Sequence, residues 1–283
     1  MRSTVIYASE FDRYLDQGLA PEQYKYRFLA EGDSWMERSS VMTASLPDYL
    51  ARAMAADGDA VLIINLARFG DTMRRIGESV AGDFAQWLDT AFAWKFDAIL
   101  LSAGGNDFID AARDPDPGQG ILKDLAGLQP PLDGMDCLDP SALDKLVFEY
   151  LDPNFALLYD RVQASRHAGL PILLNQYDTP VARNAPAFAG GKSWLYAAYV
   201  KNHIPVGLWP SLTTSLFAEV RQTIAGWASA RPNVTLVPSN GTLDPARPAS
   251  NGDDGDWINE IHPNPAGWKK LSKRWQASIK DLL

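Results

Sequence analysis

The chain has 283 residues, of which 46% are hydrophobic and 22% charged. That is ordinary globular usage, too apolar for a disordered or collagen-like protein. A formal net charge of −9 argues against nucleic acid or an anionic membrane surface as a partner. One cysteine excludes an intramolecular disulfide framework and a cysteine metal cluster, and three histidines leave a multi-histidine zinc site poorly supplied.

Residues 1–25 read as a polar, tyrosine-containing arm. Residues 26–31 then form the first apolar strand pattern, followed by a helical stretch over 39–56. Strands at 60–66 and 98–102 flank a helical stretch over 72–94. A Pro/Gly/Asp-rich insertion spans 110–139, then a helix over 140–167 leads to a strand at 171–176. A second insertion, 179–210, carries Phe188, Trp194, Tyr196, Tyr199 and Trp209. A helix over 211–230, a strand at 234–238 and a helix over 264–283 complete the pattern. The strands are continuously apolar (Val61-Leu62-Ile63-Ile64, Ile99-Leu100-Leu101, Ile172-Leu173-Leu174), as strands covered on both faces must be. Leu212, Leu216, Val220 and Ile224 form one helical stripe, and Trp268, Leu271, Trp275, Ile279 and Leu282 another. This alternation predicts one α/β domain over 1–283: a three-layer α/β/α sandwich, flavodoxin-like, around a five-stranded parallel sheet. No apolar run approaches the roughly 18 residues that span a bilayer, so no membrane span is expected. Residues 1–13 carry charges of both signs and no apolar signal core, which makes the cytoplasm the default location.

Ligands of parallel α/β sheets bind at the carboxyl ends of the strands. The residues there are Gly32-Asp33-Ser34, then Asn65 followed by Gly70-Asp71-Thr72, then Gly104-Gly105-Asn106-Asp107, and Tyr177-Asp178. Asn259-Glu260-Ile261-His262-Pro263 stands just before the last helix. One serine, one histidine, glycine turns and an asparagine amide on one rim are the parts of a serine acyl-transfer site.

This ordered set resembles the SGNH/GDSL hydrolase superfamily of esterases and lipases, from about Tyr26 to the end of the chain. The resemblance implies the fold already expected, a carboxylic-ester hydrolase activity on a small-molecule ester, and no metal or other cofactor. It implies Ser34 as nucleophile and His262 as the base that takes its proton, since a serine hydroxyl is a weak nucleophile on its own. The backbone N–H groups of Ser34 and Gly70 and the side-chain amide of Asn106 would form the oxyanion hole. The Gly-x-Ser-x-Gly elbow of α/β-hydrolases is absent around Ser34.

One position departs from the family. Three residues before the histidine, where an Asp is usual, stands Asn259. An Asn can accept the imidazole N–H and set the tautomer but offers no countercharge. Helical spacing favours Asn259 as the orienting group and turns Glu260 away, so Glu260→Ala is expected to change activity little. Asp256, Glu260 or a backbone carbonyl remain alternatives. Asp33, Asp178 and Trp194 are candidate substrate contacts. The competing readings are an acyltransferase with the same site, a metal-dependent phosphohydrolase using Asp33, Asp107 and Asp178, and a non-catalytic glycan-binding relative.

Overall fold

The structure, a computed structural model, describes residues 2–37, 44–79, 83–89 and 95–283. Its centre is one parallel sheet of six strands: β1 (Thr4–Tyr7), β2 (Tyr26–Gly32), β3 (Val61–Asn65), β4 (Ala98–Ser102), β5 (Ile172–Gln176) and β6 (Val234–Pro238). They lie in the order β1-β3-β2-β4-β5-β6. The sheet therefore has six strands, not the expected five. The added one comes from the polar arm, where Thr4–Tyr7 pairs with Leu62–Asn65 at the sheet edge. Only Ile6 of its four residues is buried. A four-residue edge strand with one core residue leaves almost no apolar signature.

Every residue of β3 and β4 is buried, as their continuous apolarity requires. Two groups of helices cover the sheet in a three-layer α/β/α arrangement. The helix Leu46–Ala56 packs along the last helix, Pro265–Leu282. In the second group, Met73–Ser79 packs on Asp152–Ala164, and Gly105–Ala112 on Trp209–Ser229. Leu212, Leu216, Val220 and Ile224 face the core as their spacing predicts, as do Trp268, Leu271, Trp275 and Ile279. Leu282 departs from its stripe and is exposed in the final turn. The helix expected over 72–94 is described as Met73–Ser79 and Asp83–Asp89, and that over 39–56 from Leu46 onward. The remaining parts of those two ranges lie outside the described residues. No helix among the described residues is long and apolar enough to cross a membrane.

The chain order matters for function because β2 is central. It is flanked by β3 and β4, so the turns after these three strands meet.

Candidate active site

Ser34 sits in the turn that follows β2. The strand ends at Gly32, whose φ is +137°, and a Cβ there would lie 2.2 Å from the carbonyl oxygen of Ser102 on β4. Only glycine lets the two backbones approach this closely. The next residue, Asp33, continues the ladder by donating its N–H to Ser102 O at 3.0 Å. Its carboxylate lies beneath the turn, accepting from Trp35 N at 3.0 Å, from Ser102 Oγ at 2.9 Å and from the Tyr177 hydroxyl. Burial pushes Asp33 up to about 6, against the pull of those three hydrogen bonds. Asp33 thus braces the turn, with every donor coming from the protein itself.

Ser34 Oγ lies 2.8 Å from His262 Nε2, and both residues are buried. His262 Nδ1 is 3.0 Å from Asn259 Oδ1. The same oxygen accepts the backbone N–H groups of Ile261 at 3.1 Å and His262 at 2.9 Å. Two N–H donors identify that atom as the amide oxygen, so Nδ1 carries the proton and Nε2 presents its lone pair to Ser34. Among the described residues burial is the one cause that shifts His262, and it pushes the imidazole down to about 4.

The other two acids near the histidine are engaged elsewhere. Asp256 accepts Asp244 N at 2.7 Å and pairs with Lys270 Nζ at 2.5 Å. Glu260 turns away from His262 and accepts four backbone N–H groups: Arg183 at 3.0 Å, Leu195 at 2.9 Å, Tyr196 at 2.7 Å, and Trp194. Burial pushes Glu260 up to about 7, opposed by those same hydrogen bonds. Glu260 thus has a structural role that its spacing from His262 does not reveal. Its carboxylate fastens the start of the helix Leu195–Lys201, and its removal would strand four donors.

Asn106 stands in the first turn of Gly105–Ala112 and lines the same cavity as Ser34. Its amide has two hydrogens, and Asp71 O takes one at 3.0 Å. The carboxylate of Asp107 accepts Met73 N at 3.0 Å, so both residues tie the loop after β3 to this helix. Gly70 lies in that loop with φ +73°, and a Cβ there would meet nothing within 4 Å. It does not line the Ser34 cavity, but its neighbours bound the site. Asp71 holds Asn106, and Phe69 stacks on His262 with ring centroids 6.2 Å apart.

Trp194 lies edge-on to His262 at 5.3 Å. Asp178 spends its carboxylate on the N–H groups of Thr179, Gly241, Thr242 and Leu243, at 2.7 to 2.9 Å. It pins the loop after β6 to the end of β5, which is a bracing role. Asp33, Asp107 and Asp178 each spend their oxygens on protein donors, and no group of three acidic, His or Cys side chains among the described residues is arranged to hold a metal ion.

Sequence reasoning missed two residues here. Phe69 was visible only as an apolar loop residue. Arg183 is fully buried, donating to Asn259 O at 2.7 Å, Gly252 O at 2.6 Å, Trp257 O at 3.3 Å and Ser250 Oγ at 3.0 Å. A lone Arg in a long insertion gives no sequence signal of such burial.

A model of the GDSL-like Lipase/Acylhydrolase family matches residues 30–270. The chain belongs to that family. Among solved structures it is similar to a lipase from a goat rumen metagenome, with 12% identity, a TM-score of 0.56, and 90% of this chain and 97% of the other covered. It is also similar to a protein described as a GDSL-like lipase from Parabacteroides merdae, with 13% identity, a TM-score of 0.53, and 91% and 96% covered. At these identities the likeness is one of fold. No curated protein sequence matches the chain.

Proposed function

We propose that the protein is a serine hydrolase that cleaves carboxylic esters of small molecules through an acyl-enzyme on Ser34. The observation that carries this reading is the chain of contacts Ser34 Oγ–His262 Nε2–Asn259 Oδ1, at 2.8 and 3.0 Å, in a family of lipases and acylhydrolases. Ser34 Oγ attacks the ester carbonyl as its proton passes to His262 Nε2. The oxyanion receives hydrogen bonds from Ser34 N, Gly70 N and the second Asn106 Nδ2 hydrogen. His262 returns the proton to the departing alkoxide. A water, deprotonated by His262, then cleaves the acyl-enzyme to release the acid and restore Ser34.

Asn259 orients the imidazole in this scheme without a countercharge. The developing imidazolium is held by the Oδ1 dipole, with the face of the Phe69 ring stacked beside it. One catalytic unit spans the chain, since Ser34 and His262 lie 228 residues apart in sequence. The metal-dependent reading loses support because Asp33, Asp107 and Asp178, the carboxylates it would use, accept from protein donors.

A fluorophosphonate probe should label Ser34, and hydrolysis of p-nitrophenyl acetate should survive EDTA and vanish in Ser34→Ala. Hydrolysis that EDTA abolishes and Ser34→Ala retains would overturn the serine mechanism. No labelling and no turnover of any ester would favour a non-catalytic binding protein.

A further inference from the structure

Beside Ser34 lies a cavity of about 20 Å³. That is little more than the roughly 10–15 Å³ one water-sized guest needs. Ser34 and Asn106 open onto it, and its walls include Ile109, Tyr177, Pro180, Phe217 and Ile261, all buried. Trp35, Trp257 and the braced acids Asp33 and Asp178 also line it. His262 does not line it. The two halves of an ester make different demands on this geometry. The departing alkoxide must reach His262 Nε2 to collect its proton, so the alcohol lies on the imidazole side. A cavity that touches the nucleophile and the Asn106 amide but not the imidazole serves the acyl half.

Resting on the serine-hydrolase reading above, we propose that this cavity is the acyl site and that it takes an acetyl group, with Ile109, Pro180 and Phe217 as the residues that set acyl length. The methyl of an acetyl ester is about the size of the single guest the cavity admits. Each further methylene needs room that the walls do not give. Tyr177 cannot swing away, because its hydroxyl is bonded to Ser102 and Asp33 and its ring packs on Gly105, where a Cβ would lie 2.9 Å away. Phe217 is held in the 21-residue helix Trp209–Ser229. Pro180 forms a further part of the wall. On its far side lies an apolar groove of about 360 Å³ that includes Val206, Trp209, Pro210 and Pro245. Pro180 lines both spaces, so displacing that ring would join the cavity to the groove and make room for a longer acyl chain.

The test is a series of p-nitrophenyl esters from acetate to dodecanoate, which holds the alcohol constant, run together with fluorophosphonate labelling. The unaltered protein should show its highest kcat/KM with acetate, at least about 100-fold above octanoate. Phe217→Ala and Ile109→Ala should raise the butyrate-to-acetate ratio of kcat/KM about tenfold. Pro180→Gly and Ile109→Val, which remove less from the core, should move it in the same direction if the larger truncations fail to fold. Octanoate turned over as well as acetate, with Ser34 still labelled, would overturn the acetyl site and leave the serine mechanism standing. An unchanged ratio in every folded variant would also overturn it. Absence of both labelling and turnover would overturn the mechanism itself.

Discussion

The two halves of the candidate site are held in place by different means. The Ser34 half grows out of the middle of the sheet. Its turn follows a central strand, and Asp33 N and Gly32 O join neighbouring backbone (Ser102 O at 3.0 Å, Arg68 N at 3.1 Å), with the buried carboxylates of Glu31 and Asp33 accepting the nearby N–H groups of Gly32 and Trp35. The His262 half has no strand to hang from. Residues 250–264 are loop, with isolated bridges such as Trp257–Pro263. That loop is fixed by buried charge: Arg183 donates to its carbonyls, Glu260 reaches back to four N–H groups of the 179–210 insertion, and Lys270 holds Asp256. Regular structure satisfies its backbone within the ladder, whereas a loop brought into the interior needs side chains to do so. The insertion is thus part of what holds His262 in place.

Substitutions on each side can break or sharpen this contrast. The largest effect is expected from Gly32→Ala, whose Cβ has no room against Ser102 O. It should destabilise by about 5 kcal/mol or more, read as loss of the folded protein or a large fall in the urea midpoint. Arg183→Ala should cost about 3 kcal/mol by leaving several buried carbonyls unpaired. It should also lower kcat through a displaced Asn259, and Arg183→Lys should rescue it poorly, since one ammonium cannot span the same carbonyls. If Arg183→Ala keeps both its melting temperature and kcat, the His262 loop is held by something else.

Asn259 gives a sharper test. An imidazole acts as a base only when neutral, and burial holds His262 near about 4 instead of the usual value of about 6.5. The acid limb of kcat/KM should therefore lie near that lower value. In Asn259→Asp a carboxylate would favour the imidazolium and raise its pKa. The limb should then move up by about 1–2 pH units while the rate at pH 8 holds or rises. Asn259→Ala should lower kcat by about 100-fold while the melting temperature holds, whereas Glu260→Ala should lower the melting temperature; an Asn259→Ala variant that keeps its kcat would overturn the orienting role. The smallest effect is expected from Phe69→Ala. That ring is 53% exposed, so stability should hold, while loss of the stack on His262 should lower kcat about two- to tenfold.

Much of this was legible from the chain. The strands 98–102 and 234–238 fall at the expected bounds, and the other three within a residue. Continuous apolar runs leave little else for a segment of that length to do. Ser34 comes together with Asn259 and His262, which stand 225 and 228 residues further along the chain. Gly32 was readable as a motif residue, but its contact with Ser102 depends on which strand lies next to β2. The Thr4–Tyr7 strand escaped notice because an edge strand needs only one buried residue. Glu260 was read as turned away from the base, which it is, but not as a helix-fastening carboxylate, because its partners lie 64 to 77 residues away.

Hydrophobic period and strand-end chemistry are written locally, so the layered α/β class, the family resemblance and the groups on the rim are readable in the sequence. Which group meets His262 Nδ1, what the buried charges hold, and how small the space beside Ser34 is belong to the folded molecule. Those depend on distances between residues far apart in the chain, and a hydrogen bond or a wall is made or lost within an ångström, a scale that spacing along a sequence does not carry.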